Sequence, residues 1–156
     1  MNSTNNGQRA RSDAGPASGR YSVLVLDDDR AIVETLVAML EPYHDAVGTS
    51  EPSVALSYLA RREFHVAIAD WIMPTMSGVE FFHRANALGR PLGCLLITAR
   101  FDEFASEVEH DLRKALGVLA KPIREAQLLE RVGQLGRLAA MKQSIRKMRG
   151  AYEGTG

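Results

Sequence analysis

Between Ser22 and Glu130 the chain alternates short apolar runs, rich in Val, Ile and Leu, with longer stretches whose apolar residues recur at helical spacing. The first run, Val23-Leu24-Val25-Leu26, is apolar at both alternating positions, as a central strand covered by helices on each side must be. It stops at Asp27-Asp28-Asp29. Val33, Leu36, Val37 and Leu40 then share one helical face until Pro42 ends the pattern. A weaker strand is predicted over 45–49. Ser50 with Pro52 marks the next helix start, with Ala55, Leu56 and Leu59 as its buried stripe.

The run from Phe64 to Ala69 predicts a third strand, again ending in an acid, Asp70, before a loop broken by Pro74 and Gly78. Ser77 and Glu80 have capping-box spacing ahead of a helix that contains Val79 and Phe82. A fourth strand, Cys94 to Ile97, runs into Thr98. Asp102 is the expected cap of a single following helix, whose inner stripe is Ala105, Val108, Leu112 and Ala115 and which Gly117 closes. The fifth strand, Val118 to Ala120, meets Lys121-Pro122. From Ile123 the pattern is helical again, with Leu128, Val132 and Leu135 on one side and Gly133 and Gly136 weakening it. Five strands and five helices in strict alternation predict an α/β fold, a flavodoxin-like doubly wound five-stranded parallel sheet of (βα)5 form.

The chain divides into three segments. Residues 1–20 hold no apolar centre that could act as a signal peptide and read as a disordered tail. Residues 21–136 form the domain. Residues 137–156 are a basic extension in which Leu138, Met141, Ile145 and Met148 recur opposite Arg137, Lys142, Arg146, Lys147 and Arg149. Two readings stand level for it: a frayed terminal extension, or a continuation of the last helix that pairs with a second copy or with a partner.

An apolar share of 46% and a charged share of 24% describe a chain that folds into a globular domain. Nineteen basic residues balance nineteen acidic ones, so no overall field draws the protein to nucleic acid or to an anionic membrane. No apolar run approaches the roughly 20 residues of a membrane-crossing helix. The one cysteine, Cys94, excludes an internal disulfide framework, suits the cytoplasm, and reads as inert core. His44, His65, His83 and His110 lack mutual spacing for a metal site and are expected to be surface or packing residues.

In a parallel sheet, polar residues just beyond the carboxyl ends of the strands gather at one rim. Here these are Asp27, Asp28, Asp70, Thr98 and Lys121. Three carboxylates brought together repel one another unless a cation sits among them, and all the ligands on offer are hard oxygens. That favours Mg²⁺, with Mn²⁺ as the alternative, and such ions are completed by water and phosphate oxygens. Asp70 is then the candidate nucleophile forming an acyl phosphate. Lys121 would balance charge on the phosphoryl oxygens, and the Thr98 hydroxyl would donate a hydrogen bond to one of them. Taken singly, each group has a plainer role: Asp29 is the purest helix cap of its run, and Asp70 alone is an ordinary turn residue.

Val25-Leu26-Asp27-Asp28-Asp29, the run Asp70-Trp71-Ile72-Met73-Pro74-Thr75-Met76-Ser77-Gly78, Leu96-Ile97-Thr98-Ala99 and Ala120-Lys121-Pro122 resemble, in order and separation, the motifs of response-regulator receiver domains. The resemblance covers about Ser22 to Leu135. It implies that Asp70 is the phosphoacceptor, Asp28 a direct metal ligand, Asp27 the acid that holds metal-bound water, and the Ile72 backbone carbonyl a further ligand. It implies that Thr98 and Lys121 are the switch hydroxyl and the phosphate-pairing lysine, and that the Lys121-Pro122 bond is cis. It also implies a histidine kinase or histidine phosphotransfer protein as donor. One departure stands out: where the family often has an aromatic residue, three positions before the lysine, this chain has Val118.

The expected function is therefore a phosphoacceptor switch in a two-component phosphorelay, signalling through contacts with a downstream protein rather than acting as an enzyme beyond self-phosphorylation and slow autodephosphorylation. Little chain follows the last helix, which predicts a stand-alone receiver with a protein as its output. Two alternatives remain. An aspartyl-phosphate phosphatase would need two acids two apart, as Asp27 and Asp29 are, followed by Thr or Val two further on, where Ala31 stands. A degenerate receiver that only binds partners would lack site residues, whereas all five are present.

Overall fold

A computed structural model describes residues 19–154. In chain order it contains β1 (Ser22–Leu26), α1 (Arg30–Leu40), β2 (Asp45–Thr49), α2 (Pro52–Arg61), β3 (Val66–Asp70), α3 (Gly78–Asn86), β4 (Gly93–Thr98), α4 (Phe101–Glu107), α5 (His110–Ala115), β5 (Gly117–Ala120) and α6 (Glu125–Glu153). The strands form one all-parallel sheet in the order β2-β1-β3-β4-β5. This is the flavodoxin-like doubly wound order, with the topological switch between β1 and β3.

Alternation within the strands divides the interior into two cores. Leu24, Leu26, Ala67, Ala69 and Leu96 face α2 and α3, where Ala55, Leu59, Phe81 and Phe82 are buried. Val23, Val25, Val66, Ile68, Leu95 and Ile97 face α1 and α6, meeting Leu36, Leu40, Leu128 and Val132. Both faces are buried, which explains the continuous apolar runs. Gly48 lets β2 close on α1, since a Cβ there would lie 2.4 Å from Val33 Cγ1.

The local signals resolve unevenly. Asp29 caps α1, its Oδ1 accepting from the Ala31 N–H at 2.9 Å. Ser77 caps α3 by accepting from the Glu80 N–H at 3.1 Å, but the Glu80 carboxylate pairs with Arg84 instead of closing a capping box. Glu51, not Ser50, is the N-cap of α2, with Pro52 as its first residue.

The single helix expected after Thr98 is two. Arg100 occupies the N-cap of α4 and Asp102 lies in its first turn, so Asp102 is not the cap. Val108 is extended (φ −92°, ψ 131°) and Glu109 is also non-helical (ψ 140°), and the two separate α4 from α5. Of the expected stripe, Leu112 is exposed and Ala115 too, while Ala105 and Val108 are half-buried. The residues that seat this stretch are Phe104 and Leu116. In one continuous helix they would point about 120° apart, so both reach the core only if the helix breaks between them.

α6 runs unbroken through Gly133 and Gly136 to Glu153, so the extension continues the last helix. Its buried face extends past the expected boundary at 136 to Ala139 and Gln143. At the other end Arg20, expected in the tail, is tied to the domain through an ion pair with Asp45 at 3.0 Å and a hydrogen bond to the His44 carbonyl. The remaining tail, residues 1–18, lies outside the described residues. Among the described residues no helix is long and apolar enough to cross a membrane.

Candidate functional site

β1 and β3 are neighbours in register, so the acids that end them emerge side by side at the carboxyl rim. Asp27, Asp28 and Asp70 each offer a carboxylate oxygen, and these atoms lie within 4.8 Å of one another. Asp27 is buried with both oxygens engaged: Oδ1 accepts from the Asp29 N–H at 2.9 Å and Oδ2 from Lys121 Nζ at 3.0 Å. Asp28 is exposed and Asp70 half-buried. The set therefore has a fixed inner acid and a solvent-facing outer one.

Lys121 arrives from the end of β5, where the Lys121-Pro122 peptide is cis. Its backbone N–H donates to the Thr98 carbonyl at 2.8 Å, and its Nζ reaches Asp70 Oδ2 at 3.5 Å as well as Asp27. Thr98, buried at the end of β4, accepts the Arg100 N–H on its hydroxyl at 2.9 Å and so holds the entry to α4. Ile72 follows β3 in the loop with its side chain exposed.

The electrostatics follow from this crowding. Burial pushes the Asp70 carboxyl above the usual range and the charges of Asp27 and Asp28 push the same way, against the opposing pull of Lys121. Burial works against the Lys121 ammonium, but its hydrogen bond to Asp27 and the charges of Asp27 and Asp70 outweigh this and raise its pKa. One lysine is shared between two acids and sits closer to Asp27, which leaves Asp70 the less compensated of the pair. An all-carboxylate, partly solvent-open set of this kind fits a small hard divalent cation that keeps several waters.

Two residues of the neighbourhood carry weight that the motif reading did not give them. Gly78 is buried, and a Cβ there would lie 2.4 Å from the Asp70 carbonyl oxygen, so the loop after β3 closes back on the strand end only without a side chain. Phe104 packs edge-on against Trp71, the residue after Asp70. No sequence pattern pointed to that contact, because it joins two aromatics far apart in the chain.

His44 and His65 lie away from this rim, flanking Tyr21 as packing residues. Cys94 is buried, which pushes its thiol pKa up to about 12, as expected of inert core.

A family model described as the response regulator receiver domain matches residues 23–133. Among curated proteins, the response regulator protein FleR of Pseudomonas aeruginosa is 32% identical over 124 residues, 78% of this chain and 26% of that protein. TodT of Pseudomonas putida, also a response regulator protein, is 30% identical over 129 residues, 81% of this chain and 56% of its own length. A response regulator receiver protein of Anaeromyxobacter sp. is 30% identical over 69% of this chain and 45% of its own length. The chain thus spans between 26% and 56% of these relatives. Among solved structures, the receiver domain of Francisella response regulator 1452 superposes with a TM-score of 0.65 at 22% identity, covering 76% of this chain and 98% of that one. The signal receiver domain of a putative Luxo repressor protein from Vibrio parahaemolyticus gives 0.67 at 20% identity, covering 81% and 97%. At these identities the structures speak for the fold alone.

Proposed function

The chain belongs to the response regulator receiver domain family, and from that membership we propose that it is a phosphoacceptor switch phosphorylated on Asp70 in a two-component phosphorelay. The observation that carries the reading is the meeting of Asp27, Asp28, Asp70 and Lys121 at one rim. A carboxylate with one shared lysine, beside two other acids, is suited to receive an anion only where further positive charge is supplied.

Asp28, Asp70 and the Ile72 carbonyl would hold Mg²⁺ directly, and Asp27 would hold its water. When bound, the ion supplies charge neutralisation for the incoming phosphoryl oxygens. A carboxylate oxygen of Asp70 attacks phosphorus, the P–N bond to the donor histidine breaks, and an O–P bond to Asp70 forms. Lys121 is within reach to turn from Asp70 towards a phosphoryl oxygen while keeping Asp27. The Thr98 hydroxyl donates to another such oxygen. Because that hydroxyl now accepts the Arg100 N–H, its recruitment would alter the hold on the start of α4.

The donor is a histidine kinase or histidine phosphotransfer protein, and the output is a contact with a downstream protein. A cytoplasmic setting suits a chain whose lone thiol is buried and unpaired. The protein is read as a switch and not an enzyme: one phosphoryl group enters per chain.

Trp71, buried next to Asp70, gives the test. Its fluorescence should respond to Mg²⁺ and then to beryllofluoride, and Asp70→Asn should abolish the second response. A second response that persists unchanged in Asp70→Asn rules out Asp70 as the acceptor.

A further inference from the structure

The C-terminal half of α6 presents Leu138, Met141, Ile145 and Met148 to solvent, with relative exposures from 42% to 63%. Their 3-4-3 spacing is that of the a and d positions of a coiled-coil seam. The stripe lies on the opposite side of the helix from Gly136, Ala139 and Gln143, the face that holds α6 to the domain.

Specific polar contacts fix that mounting. Gln143 is buried, and its Nε2 donates to the carbonyls of Phe64 at 2.8 Å and Pro91 at 3.0 Å. Lys147 Nζ adds an ion pair with Glu63 at 3.4 Å. These anchors precede β3 and β4, so the stripe stands at the rim opposite the carboxylates.

From these features we infer that the stripe is a docking surface for an amphipathic helix of another protein, one whose apolar line is flanked by acidic residues. Charge decides the occupant. Residues 131–152 contain six basic residues and no acidic one. With Leu138 and Ile145 at a and Met141 and Met148 at d, the flanking positions hold Arg137 and Ser144 at g and Lys142 and Arg149 at e. A parallel pairing of two copies sets Arg137 against Lys142, and an antiparallel one sets like flank against like, so basic meets basic either way. Glutamates at the matching positions of a partner helix would turn each of these repulsions into an attraction.

The test uses the full chain and three synthetic helical peptides: one with a leucine stripe flanked by Glu, one with the same stripe flanked by Lys, and one with Glu flanks and Ser in place of Leu. Calorimetry should show binding of the first alone, weakening as salt rises. Lys142→Glu with Arg149→Glu should transfer binding to the Lys-flanked peptide. Met141→Ser with Ile145→Ser, both on the exposed face, should weaken binding about tenfold or more while the chain keeps its melting temperature. Four results overturn the inference. These are no peptide binding, equal binding of the Ser peptide, binding only to phosphatidylglycerol vesicles or duplex DNA, or a dimer in sedimentation that Met141→Ser with Ile145→Ser dissolves, which makes a second copy the occupant.

Discussion

The indole of Trp71 and the ring of Phe104 meet edge-on, their centroids 5.4 Å apart and their planes at 83°. Trp71 follows Asp70 directly, and Phe104 is the only buried residue of α4. Val118, three positions before Lys121, packs half-buried against the same cluster. The aromatic link between the Asp70 loop and the helix after Thr98 is therefore carried by Trp71 and Phe104. Phe104→Ala should cost about 3–5 kcal/mol in denaturant unfolding. Phe104→Leu should cost less and keep the fold, yet still shift Trp71 emission and shrink its response to beryllofluoride. An unchanged response in Phe104→Leu would disconnect α4 from Asp70.

Lys121 is the cation nearest both Asp27 and Asp70, and its removal leaves those acids facing each other, with the Asp27 side chain 3% exposed. Lys121→Ala should destabilise the protein by somewhat less than the ~3–5 kcal/mol typical of breaking a fully buried pair, because the rim is partly open to solvent. Mg²⁺ should raise the melting temperature of this variant more than that of the unaltered chain, since the ion then faces charge that no lysine balances. Equal shifts would place the ion elsewhere.

His44 and His65 accept the backbone N–H groups of Tyr21 and Ser22 on their Nδ1 atoms, at 3.2 and 3.0 Å, so each must be neutral there. Burial lowers both pKa values. Arg20 adds to this at His44 against Asp45, and Lys147 at His65 against Glu63. Above the ordinary value of 6.5 both rings are neutral folded and unfolded, and their contribution is complete. As pH falls below 6.5 the unfolded chain binds protons first, so stability declines until pH has passed through the two folded pKa values. Denaturant midpoints across this range should show the decline, and His44→Asn with His65→Asn, which keeps an acceptor, should flatten it.

Two glycines of α6 should respond oppositely to alanine. A Cβ at Gly133 meets nothing within 4 Å, so Gly133→Ala should stabilise by about 0.5–1 kcal/mol through helix propensity. A Cβ at Gly136 would lie 2.4 Å from Tyr21 Cδ2, so Gly136→Ala should destabilise by roughly 1–3 kcal/mol. Thermal melts of the two variants decide the matter.

These glycines also mark what the sequence could and could not disclose. Both looked like the same weakness in a helical pattern, because propensity is local, whereas the ring that makes Gly136 necessary belongs to Tyr21, far away in the sequence though packed against it in the fold. The parallel sheet was legible because both strand faces are buried, and the rim residues were legible because the apolar runs stop at them. The break between α4 and α5 was not: the stripe Ala105, Val108, Leu112 and Ala115 has helical spacing, but Phe104 and Leu116 hold the segment. Gln143 was equally silent, though its place four residues after Ala139 on the packed face was a readable sign of a buried polar latch.

The central claim is that Asp70 takes the phosphoryl group, and the most direct measurement traps it. The full chain is incubated with Mg²⁺ and acetyl phosphate and then reduced with borohydride, which converts an aspartyl phosphate to homoserine, and its peptides are sequenced by mass spectrometry. Homoserine at position 70, lost when Mg²⁺ is chelated, is the predicted result. An intact aspartate at 70 with homoserine at 27, 28 or 29 would contradict it.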